Sequence, residues 1–437
     1  MRETLINNFL RISEIPRKSG CEEKIADFFV SVAKNNNLYY FKDENNNVLI
    51  RKKGSINSVP IALQAHLDMV CVKRRGSNHD FSCNGIRVII VGDKVTAKDT
   101  SLGADQGVGL AIMLTLMEDN TLKHPDLEFL LTVEEETTFK EAVTFPYSLV
   151  ESKRLINLDN SKDNTVITES DGDILNRYTF IEKQIRVDLP SYRISIDGFP
   201  GGNSGDNIEL SETNAITTMA KILHGKDILL KSINGGNFEN DLASSCEVVI
   251  STTLDVEEMF KDFNSKIEKI DNKFCFSSED TENIIDEILG LKCGYISDNN
   301  ASGNIGIIET KANVINIYYI IRCIDEKKLE NISNKSKKLH NHFIVAEIYR
   351  DSAWRKIKKS ELLNRYKSVY FNEYNEYPKE EIGHGGTECS AIKKRIDGLD
   401  IISIGANMEK FHTTEEVTYI DSWIKVYNLL VKLLDVL

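Results

Sequence analysis

Short apolar runs alternating with helical stretches predict an α/β protein built as two domains, and three observations carry that prediction. The chain has 437 residues, beyond the size at which one hydrophobic core keeps growing. The segment Leu127–Glu136, LEFLLTVEEE, is apolar through Leu131 except at Glu128, as a strand buried on both faces requires, and then ends in three adjacent carboxylates. Other apolar runs near both ends of the chain also stop at a His or an acid, whereas none of the strand-like runs in the middle ends in a His/Asp/Glu pair of that kind. The middle, residues 179–379, therefore reads as an insertion between 1–178 and 380–437, which close into one domain.

In chain order, the N-terminal twenty residues lack a continuous apolar h-region and a small-residue cleavage site, so they read as an amphipathic helix. Residues 21–36 have helical spacing, with Ile25, Phe28, Phe29 and Val32 on one face. Strands are expected at Leu38–Phe41 and Val48–Arg51 around the turn-rich DENNN, then at Ile61–Val70, which runs into His66 and Asp68. Residues i and i+2 of a strand share a face, so that imidazole and carboxylate can meet. A hairpin around Gly92–Asp93 leads to glycines and a helix from about Gln106 to Glu118, with Asp105 where it starts. On its own, Asp105 would be a carboxylate favoured by the helix dipole, worth about 0.3–1 kcal/mol. No Gly-Lys-Ser/Thr follows the glycines, which excludes a P-loop.

The strand RLINLDN ends at Asp159, and a strand at Leu399–Ile404 is followed by a loop to His412 and a C-terminal helix from Tyr419 to Leu437. In the middle, strands are expected in YRISIDGF, CEVVISTTL, NIGIIET and NVINIYYIIRC, and helices over 206–223, 256–270 and 326–339.

Composition narrows the function. A formal net charge of −13 disfavours nucleic acid and anionic membrane as partners. No apolar run is long enough to cross a bilayer. The eight cysteines form no C-x-x-C pair and read as free thiols of a reducing compartment, so a cytoplasmic protein is expected.

His66, Asp105, Glu136, Asp159 and His412 share one placement, at or just after a strand's C-terminal end or at a helix start, the edge where open α/β sheets bind ligands. Two histidines and three carboxylates make a ligand set for two divalent ions, zinc first, with manganese or cobalt as alternatives. Each ion would take one His and one carboxylate, the third carboxylate bridging. Such a centre lowers the pKa of a bound water and polarises a carbonyl, and Glu135 beside Glu136 is the candidate general base. The expected chemistry is amide hydrolysis.

The motifs LQAHLDMV, TSLGADQGVGLA, LLTVEEE, LINLD, GHGGTECSAI and SIGANMEKFHTTEE follow the order and spacing of the peptidase D family. The resemblance runs from Ile15 to the C-terminal helix. These are the aminoacyl-histidine, or cytosolic non-specific, dipeptidases of the di-zinc aminopeptidase and carnosinase-like superfamily. The resemblance implies a di-metal exopeptidase catalytic domain, a mixed sheet flanked by helices, with an inserted α+β lid domain that commonly dimerises. It implies that Asp105 bridges, that His66, Glu136, Asp159 and His412 complete the ligands, that Glu135 is the base, and that Asp68 orients His66. Arg322 corresponds to an arginine that recognises the substrate carboxylate, and His384 to a substrate-side histidine.

The chain departs from the pattern in three places. Asn203 of GGNSG stands where relatives carry a histidine that stabilises the oxyanion; an amide can donate a hydrogen bond but cannot become cationic. The lid motif is reduced to NDLAS, which keeps Asn240 but loses a Pro and an Arg. A glycine-containing segment after the glutamates is replaced by TTFKEA, 137–142. The expected function is hydrolysis of unblocked dipeptides, Xaa-His or broader, by a homodimer. The alternatives are an N-acyl amino acid deacylase on the same scaffold, or a weakly active or non-catalytic peptide binder.

Overall fold

A computed structural model describes residues 1–137, 144–205, 207–296, 301–338, 342–385 and 387–437. The chain folds as two units, Met1–Glu169 with Arg355–Ile382 and Thr387–Leu437, and Ser170–Trp354 with Gly383–Gly386.

The first unit is a mixed eight-stranded sheet flanked by helices. Four neighbouring strands, Leu127–Thr132, Ile61–His66, Arg154–Asn157 and Asp400–Ser403, run parallel in that order across the sheet. Their C-terminal ends therefore fall on one edge, within a few strand spacings of roughly 4.8 Å each. All six residues of both Leu127–Thr132 and Ile61–His66 are buried, as expected of strands covered on two faces. The helix Ala104–Glu118 carries apolar residues on nearly every side and is buried almost throughout. It shares one core with Phe9 of the helix Arg2–Ser13 and Trp423 of the helix Ile420–Val436.

The helix Glu361–Tyr374 belongs to this unit, so the return from the inserted segment comes at Arg355, earlier than the boundary expected near 380. Its buried Leu362, Tyr366 and Tyr370 join the same core. Asp400, at the start of its strand, accepts hydrogen bonds from Ser360 Oγ (2.6 Å) and the Leu362 amide (3.0 Å). The first crossing comes at Ser170, not at 179.

The second unit is a nine-stranded sheet, antiparallel at every pairing. Its core includes the helices Ala215–Leu223, Ser278–Gly290 and Glu326–Ser336. Two expected helices come out differently. In place of one helix over 206–223, whose first residue lies outside the described set, a 3-10 turn at Ile208–Thr213 is followed by the helix Ala215–Leu223. Asn214 separates them in an extended conformation and caps the second, accepting from the Ile216 amide at 2.9 Å. In place of a helix over 256–270, a short helix Val256–Phe260 gives way to the strand Ser265–Ile270, paired with Ser191–Ile196. Exposure alternates over the first four residues of SKIEKI, and an open sheet edge takes the segment up. Residues 339–341, with the end of the expected third helix and His340, lie outside the described residues.

Within this core Glu287 is 1% exposed, and its Oε2 has no hydrogen-bond partner among the described residues. Burial raises its carboxyl to about 8. As pH rises from the ordinary carboxylate range, the unfolded acid ionises while the folded one stays protonated, so stability falls until the folded group titrates near 8. Glu287→Gln is expected to be more stable than wild type at pH 8 by on the order of 2 kcal/mol, and similar to it at pH 4. Urea melts at the two pH values check this, and equal midpoint shifts at both would contradict it.

Candidate metal centre

The parallel strands deliver the ligand candidates to one edge of the first unit. His66 is the last residue of its strand, Asp159 comes two residues after Asn157 closes another, and His412 sits in the loop nine residues beyond Ser403. Asp105 lies at the start of the helix Ala104–Glu118, where Asp105 and Gln106 leave helical geometry and the peptide between them is cis.

The glutamates take a turn rather than the strand. Pairing stops at Thr132, and Glu134 adopts a left-handed conformation (φ +56°), with residues 135–137 in the turn that follows. Strict alternation would have sent Glu135 and Glu136 to opposite faces; the turn removes that constraint. Asp68 holds it, because its carboxylate accepts the amides of Glu135 and Glu136 at 3.2 Å each and the Ser19 hydroxyl at 2.7 Å.

Asp105 is central. Its Oδ1 lies 3.1 Å from His66 Nε2, and its Oδ2 lies 3.3 Å from His412 Nε2. Glu136 approaches His412 Nε2 at 3.1 Å, and Asp159 Oδ1 lies 3.9 Å from His66 Nε2. The ring nitrogen of His66 that faces away, Nδ1, is 3.3 Å from Asp68. His66, Asp105 and Glu136 each offer a donor atom within 4.8 Å of the others. A carboxylate with its two oxygens turned to two different imidazoles has the form of a bridging ligand, and the donor set of nitrogen and oxygen suits zinc-type ions.

The residues expected to touch substrate gather within the second unit. Asn203 accepts the Gly205 amide at its Oδ1 (2.7 Å), so Nδ2 is the donor end of that side chain. The backbone oxygen of Asn240 accepts both the amide (2.8 Å) and the hydroxyl (2.7 Å) of Ser204. That hydroxyl in turn accepts from Arg322 Nη1 at 2.9 Å, and Arg322, 2% exposed, also lies 3.6 Å from Asp173. His384 meets Asp171 at 3.4 Å, and a Cβ at Gly205 would fall 2.1 Å from the His384 carbonyl oxygen, so that approach requires glycine. The altered segment after Glu136 lies outside the described residues from 138 onward.

No family model matches the chain. It is 27% identical to the cytosol non-specific dipeptidase of Escherichia coli over 465 residues, covering 98% of this chain and 96% of that one. The crystal structure of an aminoacylhistidine dipeptidase from Vibrio alginolyticus superposes with a TM-score of 0.76 at 25% identity, covering 99% and 96% of the two chains. Both comparisons bear out the resemblance to peptidase D. A tripeptidase from Staphylococcus aureus shares the fold at 15% identity, with a TM-score of 0.64 over 100% and 98% of the two chains.

In this peptidase D relative, burial sets the electrostatics of the centre. It pushes the carboxyls of Glu135 and Asp159 well above the usual range and raises Glu136; neighbouring carboxylates add to each. Burial opposes protonation of the histidines, but Asp105 and Asp68 outweigh it at His66, and Glu136 and Asp105 raise His412 to about 12. Carboxylates that resist ionising together are the kind a pair of divalent cations offsets.

Several groups that build the centre carried no readable signal. Glu416, the last acid of HTTEE, is buried and accepts the amides of Leu102 (2.7 Å), Gly103 (3.1 Å) and Ala104 (2.8 Å), fixing the loop that presents Asp105. Arg17, also buried, donates to the carbonyls of Leu67, Asp68 and Gly103, joining the two loops from beneath. Gln106 donates to Asp159. Gly405 packs against the loop carrying Asp159, where a Cβ would stand 1.8 Å from the Asn160 carbonyl oxygen. Each depends on contacts between residues 50 to 314 positions apart, which local pattern does not report.

Proposed function

We propose that the chain hydrolyses unblocked dipeptides at a centre of two divalent ions, zinc first, held by His66, Asp105, Glu136, Asp159 and His412. Its likeness to dipeptidases over nearly the whole chain makes it a hydrolase of peptide bonds. The observation that carries the site is Asp105, with its two oxygens turned to the Nε2 atoms of two histidines. Bound there, the ions supply a water of lowered pKa and polarise the scissile carbonyl.

The chain's own groups do the rest. Glu135, half-buried in the turn after Thr132, takes the proton of the attacking water and passes it to the leaving amine. Asp68 keeps the His66 ring oriented through Nδ1 and holds the Glu135–Glu136 turn through its other contacts. Arg322 binds the substrate carboxylate; Ser204 and Asp173 already fix one face of its guanidinium, and its remaining donors suit a bidentate partner. His384 and Asn240 line the substrate, and the Asn203 Nδ2 donates to the oxyanion.

A second reading, binding with weak turnover, draws on Asn203, because a neutral amide replaces a group that relatives can protonate. The assembly is a homodimer in the cytoplasm, as in the family pattern; sedimentation measures the first.

The test is a panel of free dipeptides, Xaa-His among them, beside N-acetyl amino acids, after loading with zinc, manganese or cobalt. Turnover of the free dipeptides alone is expected. Cleavage confined to the acetylated compounds would make it a deacylase, and calorimetric binding of dipeptides without turnover would favour the second reading.

A further inference from the structure

Behind the ligand-bearing edge runs a row of buried polar side chains to which the mechanism above gives no task. Gln64, two residues before His66, is fully buried. Its amide nitrogen donates to Thr132 Oγ1 (3.0 Å) and to Glu388 Oε2, and its Oε1 accepts from Asn157 Nδ2 (2.6 Å). Asn157 Oδ1 then accepts the Ser403 hydroxyl and, at 3.1 Å, the backbone amide of Asp159. Thr132, Asn157 and Ser403 each close one of the four parallel strands, and Gln64 sits near the end of the fourth.

These bonds leave little freedom. Flipping the amide of Gln64 would set its nitrogen against the Asn157 nitrogen, and flipping Asn157 would turn N–H groups toward the Ser403 hydroxyl and the Asp159 amide. A buried polar group is costly when it lacks a partner, so the row has one low-energy arrangement. Apolar side chains would fill the same layer without fixing anything. The row ends on the amide of Asp159, whose carboxylate is also tied by Gln106 and lies beside His66. At the other end Glu388 is 1% exposed, and its Oε1 has no hydrogen-bond partner among the described residues.

We propose that Glu388, Gln64, Asn157 and Ser403 form a positioning network that holds the Asp159 carboxylate in its metal-binding orientation. The proposal rests on the reading of Asp159 as a metal ligand. The network touches no substrate; it acts by aligning the loop after Asn157 with the strand that ends at His66.

The experiment compares Gln64→Met, Asn157→Leu, Ser403→Ala and Glu388→Gln with wild type in three measurements. These are dissociation constants for zinc and manganese against a competing chelator, kcat and KM with dipeptide at saturating metal, and thermal midpoint. Gln64→Met and Asn157→Leu are expected to weaken retention of one of the two ions by about 10–100-fold and to lower kcat with little change in KM. Ser403→Ala, which removes one bond to the same Asn157 oxygen and is the mildest change, should move both in the same direction by less. Glu388→Gln, which can still accept from Gln64 at one oxygen, should move both in the same direction by less than Gln64→Met. Variants that lose thermal stability but keep wild-type metal affinity and kcat would overturn the network and leave the functional reading standing. Wild-type protein that retains no metal would overturn both.

Discussion

Glu135→Gln is expected to lower kcat by about two to four orders of magnitude while leaving bound metal and thermal midpoint close to wild type. The argument starts from the turn. On the proposed reading Glu135 and Glu136 are neighbours with different tasks, and Glu136 lies 3.1 Å from His412 Nε2. Glu135 is half-buried, and loss of solvent with the charges of Asp159, Glu136 and Glu388 raises its carboxyl well above the usual range. Glutamine keeps the shape but cannot take a proton. A base acting in the chemical step should therefore lose kcat and spare KM. Elemental analysis beside steady-state kinetics checks this, and undiminished turnover would remove Glu135 from the mechanism. A loss of metal along with the loss of rate would instead make it a ligand.

Asp105→Ala should abolish both metal retention and activity, taking bound metal from on the order of two ions per chain to fewer than one. Asp105 is the residue whose two oxygens face the two histidines, so its removal strips a donor from both positions at once. Asp159→Ala should remove only one ion, since Asp159 approaches His66 alone. Thermal melts give a second readout. Metal at a hundredfold excess over its dissociation constant stabilises a folded protein by about 2.7 kcal/mol. Wild type should show such a shift and Asp105→Ala should show none. Retention of two ions by Asp105→Ala would rule out the bridge.

The strands that carry the centre were legible because each is a short apolar run stopping at a His or an acid. Leu127–Thr132 and Ile61–His66 are fully buried, and a residue pattern alone can report burial. The ligand types were legible for the same reason, since a carboxylate or imidazole at the end of a buried run stands out against it. Asp68 was placed beside His66 by its spacing of two, and His66 Nδ1 does meet it at 3.3 Å.

The expected helix over 256–270 shows where local pattern stops being enough. Val256–Phe260 is helical, but SKIEKI also fits an edge strand, and the vacancy beside Ser191–Ile196 decided between them. The helix Glu361–Tyr374 likewise took its unit from Asp400, some forty residues on.

The sequence by itself determined the two-part α/β architecture, the family resemblance, and the chemical types gathered at the strand ends, because each is written in local periodicity or in contiguous motifs. Only the tertiary structure decided how those types are arranged. It gave Asp105 two imidazoles to face and bound Glu416 to the amides of the Asp105 loop. It also ran a polar row from Glu388 to the amide of Asp159. The physical reason is common to all of them. A hydrogen bond or a close charge pair depends on where two side chains meet, and here the partners lie tens to hundreds of residues apart in the chain.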